Sequence, residues 1–205
     1  MTPLALALPK GRLLDEAVAL FARAGIALAG LKGSRRLVHD LDGLRIYVVR
    51  DSDVPTFVEH GAADLGIAGR DILDEQGRDL YRPLDLGIGR CRLALAEPAA
   101  RRADPLHLRI ATKFPNLTRR YLEEHGLVAE VIKLYGSIEL APLTGLADCI
   151  VDLVASGETL RQNQLREVAT ILEVSAQVVV NRASWKLRRG AIDELIGRLR
   201  ASVQV

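Results

Sequence analysis

The stretch "YRPLDLGIGRCRLALAEP", residues 81–98, reads as extended chain, and a second extended stretch, "REVATILEVSAQVVVNRASW", occupies residues 166–185. Both are long for single strands. Between them, at roughly 80–97 and 166–182, they bracket the middle third of the chain. They are expected to carry it into a second lobe and back, leaving a cleft. Outward from this pair, the sequence alternates strands with helices. "PLALALP" (3–9) is a short buried strand, and "GRLLDEAVALFARAG" (11–25) carries Leu14, Val18, Phe21 and Ala22 at helical spacing with Gly25 as its stop. "RRLVHD" and "LRIYVVR" flank the turn "LDG" as an antiparallel pair, followed by a helix in "SDVPTFVEHG" and a strand in "ADLGIAG". In the middle third, "LRIATK", "AEVIKL" and "CIVDLV" are strands separated by helices at 115–125 and 137–145. "RRGAIDELIGRLRASV" closes the chain as a helix with Ile192, Leu195, Ile196 and Leu199 on one face.

This alternation predicts an α/β fold. Lobe I is expected to be discontinuous, 1–89 plus 175–205, with lobe II at 90–174. Ligands of open α/β sheets sit at the carboxyl ends of strands, so the loops at 9–12, 50–53, 68–71, 112–116, 135–139 and 153–159 are the candidate cleft walls.

Composition narrows the function. The 205 residues are 49% apolar and 26% charged, ordinary for a globular enzyme, and 4% aromatic content argues against a stacking surface for single-stranded nucleic acid. A net charge of +2 is too small to imply a polyanion partner, although clustered arginines leave local phosphate sites open. Cys91 and Cys149 sit in apolar runs and read as reduced core thiols. His39, His60, His107 and His125 are scattered and are poor candidates for a metal site or a catalytic triad. The start of the chain lacks a secretory signal and no run approaches a membrane span, so a cytoplasmic location is expected.

Several junctions carry possible chemistry. In "IVDLVASGETL" (150–160), a buried strand ends in Ser156, Gly157, Glu158 and Thr159. Such a turn offers backbone N–H groups to an anion, and it also reads as a Ser-capped helix start. "PKGRL" (9–13) brings Lys10, Gly11 and Arg12 to the end of the first strand, either for phosphate or as a solvated turn. Lys32, Arg35 and Arg36 precede the next strand. Arg50, Asp51 and Asp53 lie at a strand-to-helix junction, where Asp53 reads as an N-cap. Gly66, Gly69, Arg70 and Asp71 suit either a flat ligand or close packing. Glu139, after Gly136 and Ser137, serves either sugar hydroxyls or a helix dipole. Asp15 and Glu16 read as structural.

Taken in order, "PKGRL", "SRRL", "VRDSDVPTFVEHGAADLGIAGRDIL", "IKLYGSIELAPL" and "GLADCIVDLVASGETL" resemble the short-form catalytic subunit of ATP phosphoribosyltransferase, the first enzyme of histidine biosynthesis. The most specific part is the spaced set Glu139, Gly145, Ala147, Ile150, Asp152, Ser156, Gly157, Thr159 and Leu160. The resemblance implies a two-lobed fold like the type II periplasmic binding proteins, with the active site in the interlobe cleft. It implies transfer of the phosphoribosyl group of 5-phosphoribosyl 1-diphosphate (PRPP) to N1 of the ATP adenine.

By the same resemblance, Glu139 and Asp152 through Thr159, including Ala155, Ser156, Gly157 and Glu158, are expected to bind PRPP. Arg12 and Arg35 are expected at the diphosphate as catalytic residues, with Lys10 and Gly11 beside them. Arg50, Gly69 and Asp71 are expected on the nucleotide side. Mg²⁺ is expected to arrive with PRPP and ATP, since no protein cage is visible. The chain ends at Val205 without the family's C-terminal regulatory domain, so a histidyl-tRNA-synthetase-like regulatory subunit in a hetero-oligomer, with catalytic-subunit dimers, is expected as the partner. Two other readings are a non-catalytic two-lobed anion receptor and a different phosphoribosyltransferase.

Overall fold

The computed structural model describes residues 3–31, 33–100 and 107–203; Lys32 lies outside them. In chain order the elements are β1 (Leu4–Pro9), α1 (Arg12–Arg23), β2 (Val38–Leu41), β3 (Leu44–Val49), α2 (Val54–Glu59), β4 (Leu65–Gly69), α3 (Arg70–Gln76), β5 (Tyr81–Asp85), β6 (Cys91–Pro98), β7 (Arg109–Thr112), α4 (Pro115–Glu124), β8 (Glu130–Lys133), α5 (Leu140–Leu143), β9 (Cys149–Val154), α6 (Glu158–Gln162), β10 (Leu165–Val174), β11 (Ala176–Val180), α7 (Arg182–Leu187) and α8 (Arg189–Val203). The chain divides into two compact units. One comprises Met1–Leu73, Gly77–Gly89 and Ser175–Val205; the other comprises Asp74–Gln76 and Arg90–Val174. The fold is the α/β fold expected from the sequence.

In the first unit the sheet order is β2-β3-β1-β4-β11-β5. β3, β1 and β4 run parallel, and β2, β11 and β5 are joined to their neighbours antiparallel. Alternation along "LALAL" sorts the two faces. Leu4, Leu6 and Leu8 pack with Phe21 of α1 and with Ile192, Ile196 and Leu199 of α8. Ala7 and Ala68, on the other face, pack with Val54 and Val58 of α2. Small residues on that face let the helix approach closely. A methyl group at Gly66 would lie 2.7 Å from Val54 Cγ1 and 2.9 Å from Val58 Cγ2, so packing explains this glycine. α1 ends at Arg23, where Gly25 (φ +72°) turns the chain out of the helix and the Ile26 N–H donates to Phe21 O at 2.9 Å.

In the second unit the order is β10-β6-β9-β7-β8. β9, β7 and β8 are parallel, whereas β6 is antiparallel to both β10 and β9. Its core is built on small residues, Ala94, Ala96 and Ala111, under Ile138, Ala141 and Leu160.

Four details differ from the sequence reading. The two extended stretches are each broken: β5 from β6 at Gly87 and Gly89, both with positive φ, and β10 from β11 at Ser175. The end of the second stretch is helical, because Asn181 Oδ1 accepts from both the Ala183 and Ser184 N–H groups at 2.9 Å and starts α7. The helix expected at 137–145 shrinks to Leu140–Leu143. Asp53 does not cap α2 with its side chain; it already has helical dihedrals and accepts from Ser52 Oγ at 3.2 Å.

Candidate active site

Within each unit, three parallel strands deliver their carboxyl ends side by side, the place where open α/β sheets bind ligands. In the second unit these are β8, β7 and β9, followed by the segments 134–139, 113–114 and 155–159. The first strand end leads to Glu139, the residue just before α5. The third carries Asp152, half-buried and paired across to the small Ala94 of β6.

Burial pushes the Asp152 carboxyl above its ordinary range, and the nearby Glu139 carboxylate adds to this. The Leu153 N–H and the Lys113 ammonium pull the other way. Asp152 and Glu139 are thus within electrostatic reach of one another. Asp152 Oδ1 accepts from the Leu153 N–H at 2.8 Å. The turn that follows depends on Gly157, whose φ of +79° favours glycine. Ser156 Oγ accepts from the Glu158 N–H at 3.4 Å, and the Glu158 carboxylate is held by Arg161 and by Gln162 Nε2 at 2.8 Å. Thr159 is exposed.

An anchor that the sequence did not reveal fixes the start of this turn. Arg92 on β6 donates from Nη1 to the Ala155 carbonyl at 3.2 Å, and from Nε and Nη2 to the Glu167 carboxylate of β10 at 2.8 and 2.6 Å. The fork holds Glu167 below the ordinary carboxylate range. Arg92 and Glu167 lie 75 positions apart, so no local motif signals the pairing.

In the first unit the carboxyl ends of β1, β3 and β4 lead to Lys10–Arg12, Arg50–Asp53 and Gly69–Asp71. The Lys10 N–H donates to Val49 O at 2.9 Å, tying the first two together. Arg35 joins the same sheet end, because β2 runs antiparallel to β3 and the Val48 N–H donates to Leu37 O at 2.9 Å. Lys10, Arg12, Arg35 and Arg50 are all exposed there.

Gly11 (φ +80°, ψ −153°) takes a backbone conformation only glycine adopts readily, with open space where a side chain would begin. Glu16 is more than surface decoration. Its Oε1 lies 3.4 Å from Arg12 Nε, while its Oε2 accepts from the Gly89 N–H at 2.7 Å. The space beside Gly69 holds the carboxylate of Asp71, itself 5% exposed.

The remaining candidate groups lie elsewhere. Cys149 is buried and its thiol is pushed up to about 11, first by desolvation and then by Glu97 and Asp148, so it remains protonated near neutral pH. His39 and His125 contact the carbonyls of Arg36 and Tyr121 on their own segments. A cavity of about 310 Å³ in the first unit is lined by Leu4, Ile26, Leu44, Arg188, Leu195 and Arg198. It opens at the amino ends of β1 and β3, the opposite ends from the cationic loops. Its arginines serve the fold: Arg188 bonds Asp64 and Pro3 O, and Arg198 bonds the carbonyls of Ala24 and Gly25.

Residues 50–201 match the model of the family described as HisG: ATP phosphoribosyltransferase. This chain belongs to the ATP phosphoribosyltransferase family. An ATP phosphoribosyltransferase of Acidithiobacillus ferrooxidans is 55% identical, with 98% of each chain covered. One from Geobacter metallireducens is 52% identical at the same coverage. Among solved structures, the ATP phosphoribosyl transferase (HisG:HisZ) complex from Thermotoga maritima superposes with a TM-score of 0.85 at 35% identity, covering 98% of each chain. Tv2483 bound to L-arginine, 15% identical with a TM-score of 0.58 over 97% of this chain and 84% of that one, shares the fold. The α/β fold expected from the sequence is therefore shared with both of these solved structures.

Proposed function

We propose that this chain transfers the 5-phosphoribosyl group of PRPP to N1 of the ATP adenine, giving N1-(5-phosphoribosyl)-ATP and diphosphate and opening histidine biosynthesis. The observation that carries the reading is the convergence of Glu139, Asp152 and the Ser156–Thr159 turn at the carboxyl ends of the parallel strands of one sheet. In the reaction the N1 lone pair forms a bond to the anomeric carbon while the bond from that carbon to the diphosphate oxygen breaks, with inversion. N1 carries no proton to remove, so the reaction needs no base and no protein nucleophile. Positive charge grows on the ribose ring and negative charge on the departing diphosphate, so the protein contributes position and countercharge.

In this reading Ser156, Gly157 and Thr159, with the flanking Ala155 and Glu158, cradle the 5-phosphate. Glu139 and Asp152 accept hydrogen bonds from the ribose hydroxyls. Arg12 and Arg35 take the diphosphate, since guanidinium forks match phosphate oxygens, and Lys10 and Gly11 line the same end. Arg50, Gly69 and Asp71 shape the nucleotide side.

Among the described residues no group of three His, Cys, Asp or Glu side chains could hold a metal ion. We infer that Mg²⁺ arrives bound to the substrates' phosphates, where it neutralises charge. We assign the reaction to the cytoplasm, the compartment expected of a biosynthetic enzyme that consumes ATP; no helix among the described residues is long and apolar enough to cross a membrane. The regulatory partner is a histidyl-tRNA-synthetase-like subunit of the HisZ type in a hetero-oligomer, supported by the Thermotoga maritima complex.

The test is to mix the purified chain with ATP, PRPP and Mg²⁺, with and without a HisZ-type subunit, and separate the products. Phosphoribosyl-ATP and diphosphate in equal amounts are expected. No product under either condition would favour a binding protein on the same fold.

A further inference from the structure

We propose that Lys113 is a positioning residue of the ribose end of this site, placed so that its ammonium keeps Asp152 charged beside Glu139. The proposal rests on the reading of Asp152–Thr159 as the PRPP site. It begins from strand register. β7 and β9 run parallel with Ala111 opposite Ile150 and Thr112 opposite Val151, so Lys113 leaves β7 one position beyond the last pair, level with Asp152. Side chains of paired residues in a parallel ladder share a face and alternate along the strand. Ala111 and Ile150 both lie in the core under α5 and α6; Asp152 comes two positions after Ile150 on β9, and Lys113 two positions after Ala111, just past the end of β7.

The exit of β7 is held in place. Buried Thr112 Oγ1 donates to Val151 O at 2.7 Å and accepts from the Phe114 N–H at 2.9 Å, which fixes the backbone on both sides of Lys113. Lys113 Nζ lies 5.9 Å from the centroid of the buried Phe114 ring, which limits where the ammonium can go.

The charges around Asp152 define the need. From the turn before α5 comes Glu139, a second carboxylate; from β6 comes Ala94, which is neutral; from just past the end of β7 comes Lys113. On α6, Glu158 is paired with Arg161. The Glu139 carboxylate disfavours the charged form of the half-buried Asp152, which favours its taking a proton. A protonated carboxyl loses acceptor capacity, whereas ribose hydroxyls need acceptors. Lys113 opposes protonation of Asp152 and so keeps that carboxylate ready to accept. No covalent step is assigned to it.

The test uses the whole chain, in its complex if that is the active form. Lys113→Met keeps the apolar stem and removes the charge; Lys113→Arg restores a cation. Lys113→Met is expected to raise KM for PRPP about fivefold or more, leave KM for ATP within twofold, and shift the acidic limb of kcat/KM for PRPP to higher pH. Lys113→Arg is expected to restore most of the loss and return the limb. An unmoved limb with unchanged KM for PRPP, or equal changes for both substrates, overturns the proposal. Asp152→Asn separates this from the underlying reading. If it weakens PRPP and Lys113→Met does not, only the role of Lys113 fails; if Asp152→Asn leaves PRPP untouched, the site assignment itself fails.

Discussion

Replacing Gly157 with alanine tests the phosphate turn through a quantity the structure supplies. Gly157 holds φ +79° and ψ 0°, a left-handed conformation that costs an L-residue about 1–2 kcal/mol. Space is not the obstacle, because an added methyl carbon would meet only Val154 Cγ1 at 4.0 Å, an ordinary contact. The cost is therefore in the backbone, and it appears in one of two places. If the turn keeps its shape, the melting temperature falls by about 2–8 °C, taking about 2–4 °C per kcal/mol for a domain of this size. If the turn relaxes, stability recovers and PRPP binding carries the loss, about 5- to 30-fold in affinity.

Gly157→Asn separates conformation from space. Asparagine tolerates the left-handed region better than alanine, so its stability loss should be smaller. Its larger side chain should obstruct the phosphate at least as much. Differential scanning calorimetry and steady-state kinetics with each substrate varied in turn provide the readouts. A variant with unchanged melting temperature and unchanged KM for PRPP, or one that weakens ATP and PRPP equally, would refute the reasoning.

Other substitutions probe the remaining assignments. Arg12→Ala or Arg35→Ala should lower turnover by more than about tenfold, the loss of one transition-state contact of about 1.4 kcal/mol; unchanged kcat in both would remove them from the leaving-group role. Thr159→Ala should raise KM for PRPP while leaving KM for ATP nearly constant, and equal weakening would place this residue elsewhere. Gly66→Ala should lower the melting temperature by about 2–12 °C, because the new methyl group meets Val54 and Val58 inside a packed core; a loss below 1 °C would show that α2 yields freely.

Much of the architecture was readable because the governing signals are local. The alternation in "LALAL", the apolar face of α8 and the stop at Gly25 all depend on neighbouring residues. The loops flagged at 9–12, 50–53, 112–116 and 153–159 follow from strand order and a general rule for parallel sheets. What escaped were features that depend on distant partners or on competition between two local rules. Asn181 is a good helix cap, but it follows "AQVVV", and the β-branched run hid the start of α7. Asp53 looks like a cap in sequence, yet the chain already enters a helical turn at Asp51, so its backbone is committed before α2 begins. Arg92 reads as one polar residue in a strand until β10 brings Glu167 to it and β9 brings the Ala155 carbonyl. Lys113 stood inside a flagged loop, but its meaning depends on register with Asp152, 39 positions later in the chain.

Backbone amide hydrogen exchange, read with each substrate added separately, addresses the PRPP assignment without passing through catalysis. Adding Mg²⁺–PRPP alone should slow exchange across 155–160, whereas ATP alone should leave those amides near their unliganded rates. Unchanged exchange at 155–160 with saturating PRPP, or equal protection there by ATP, would contradict the account.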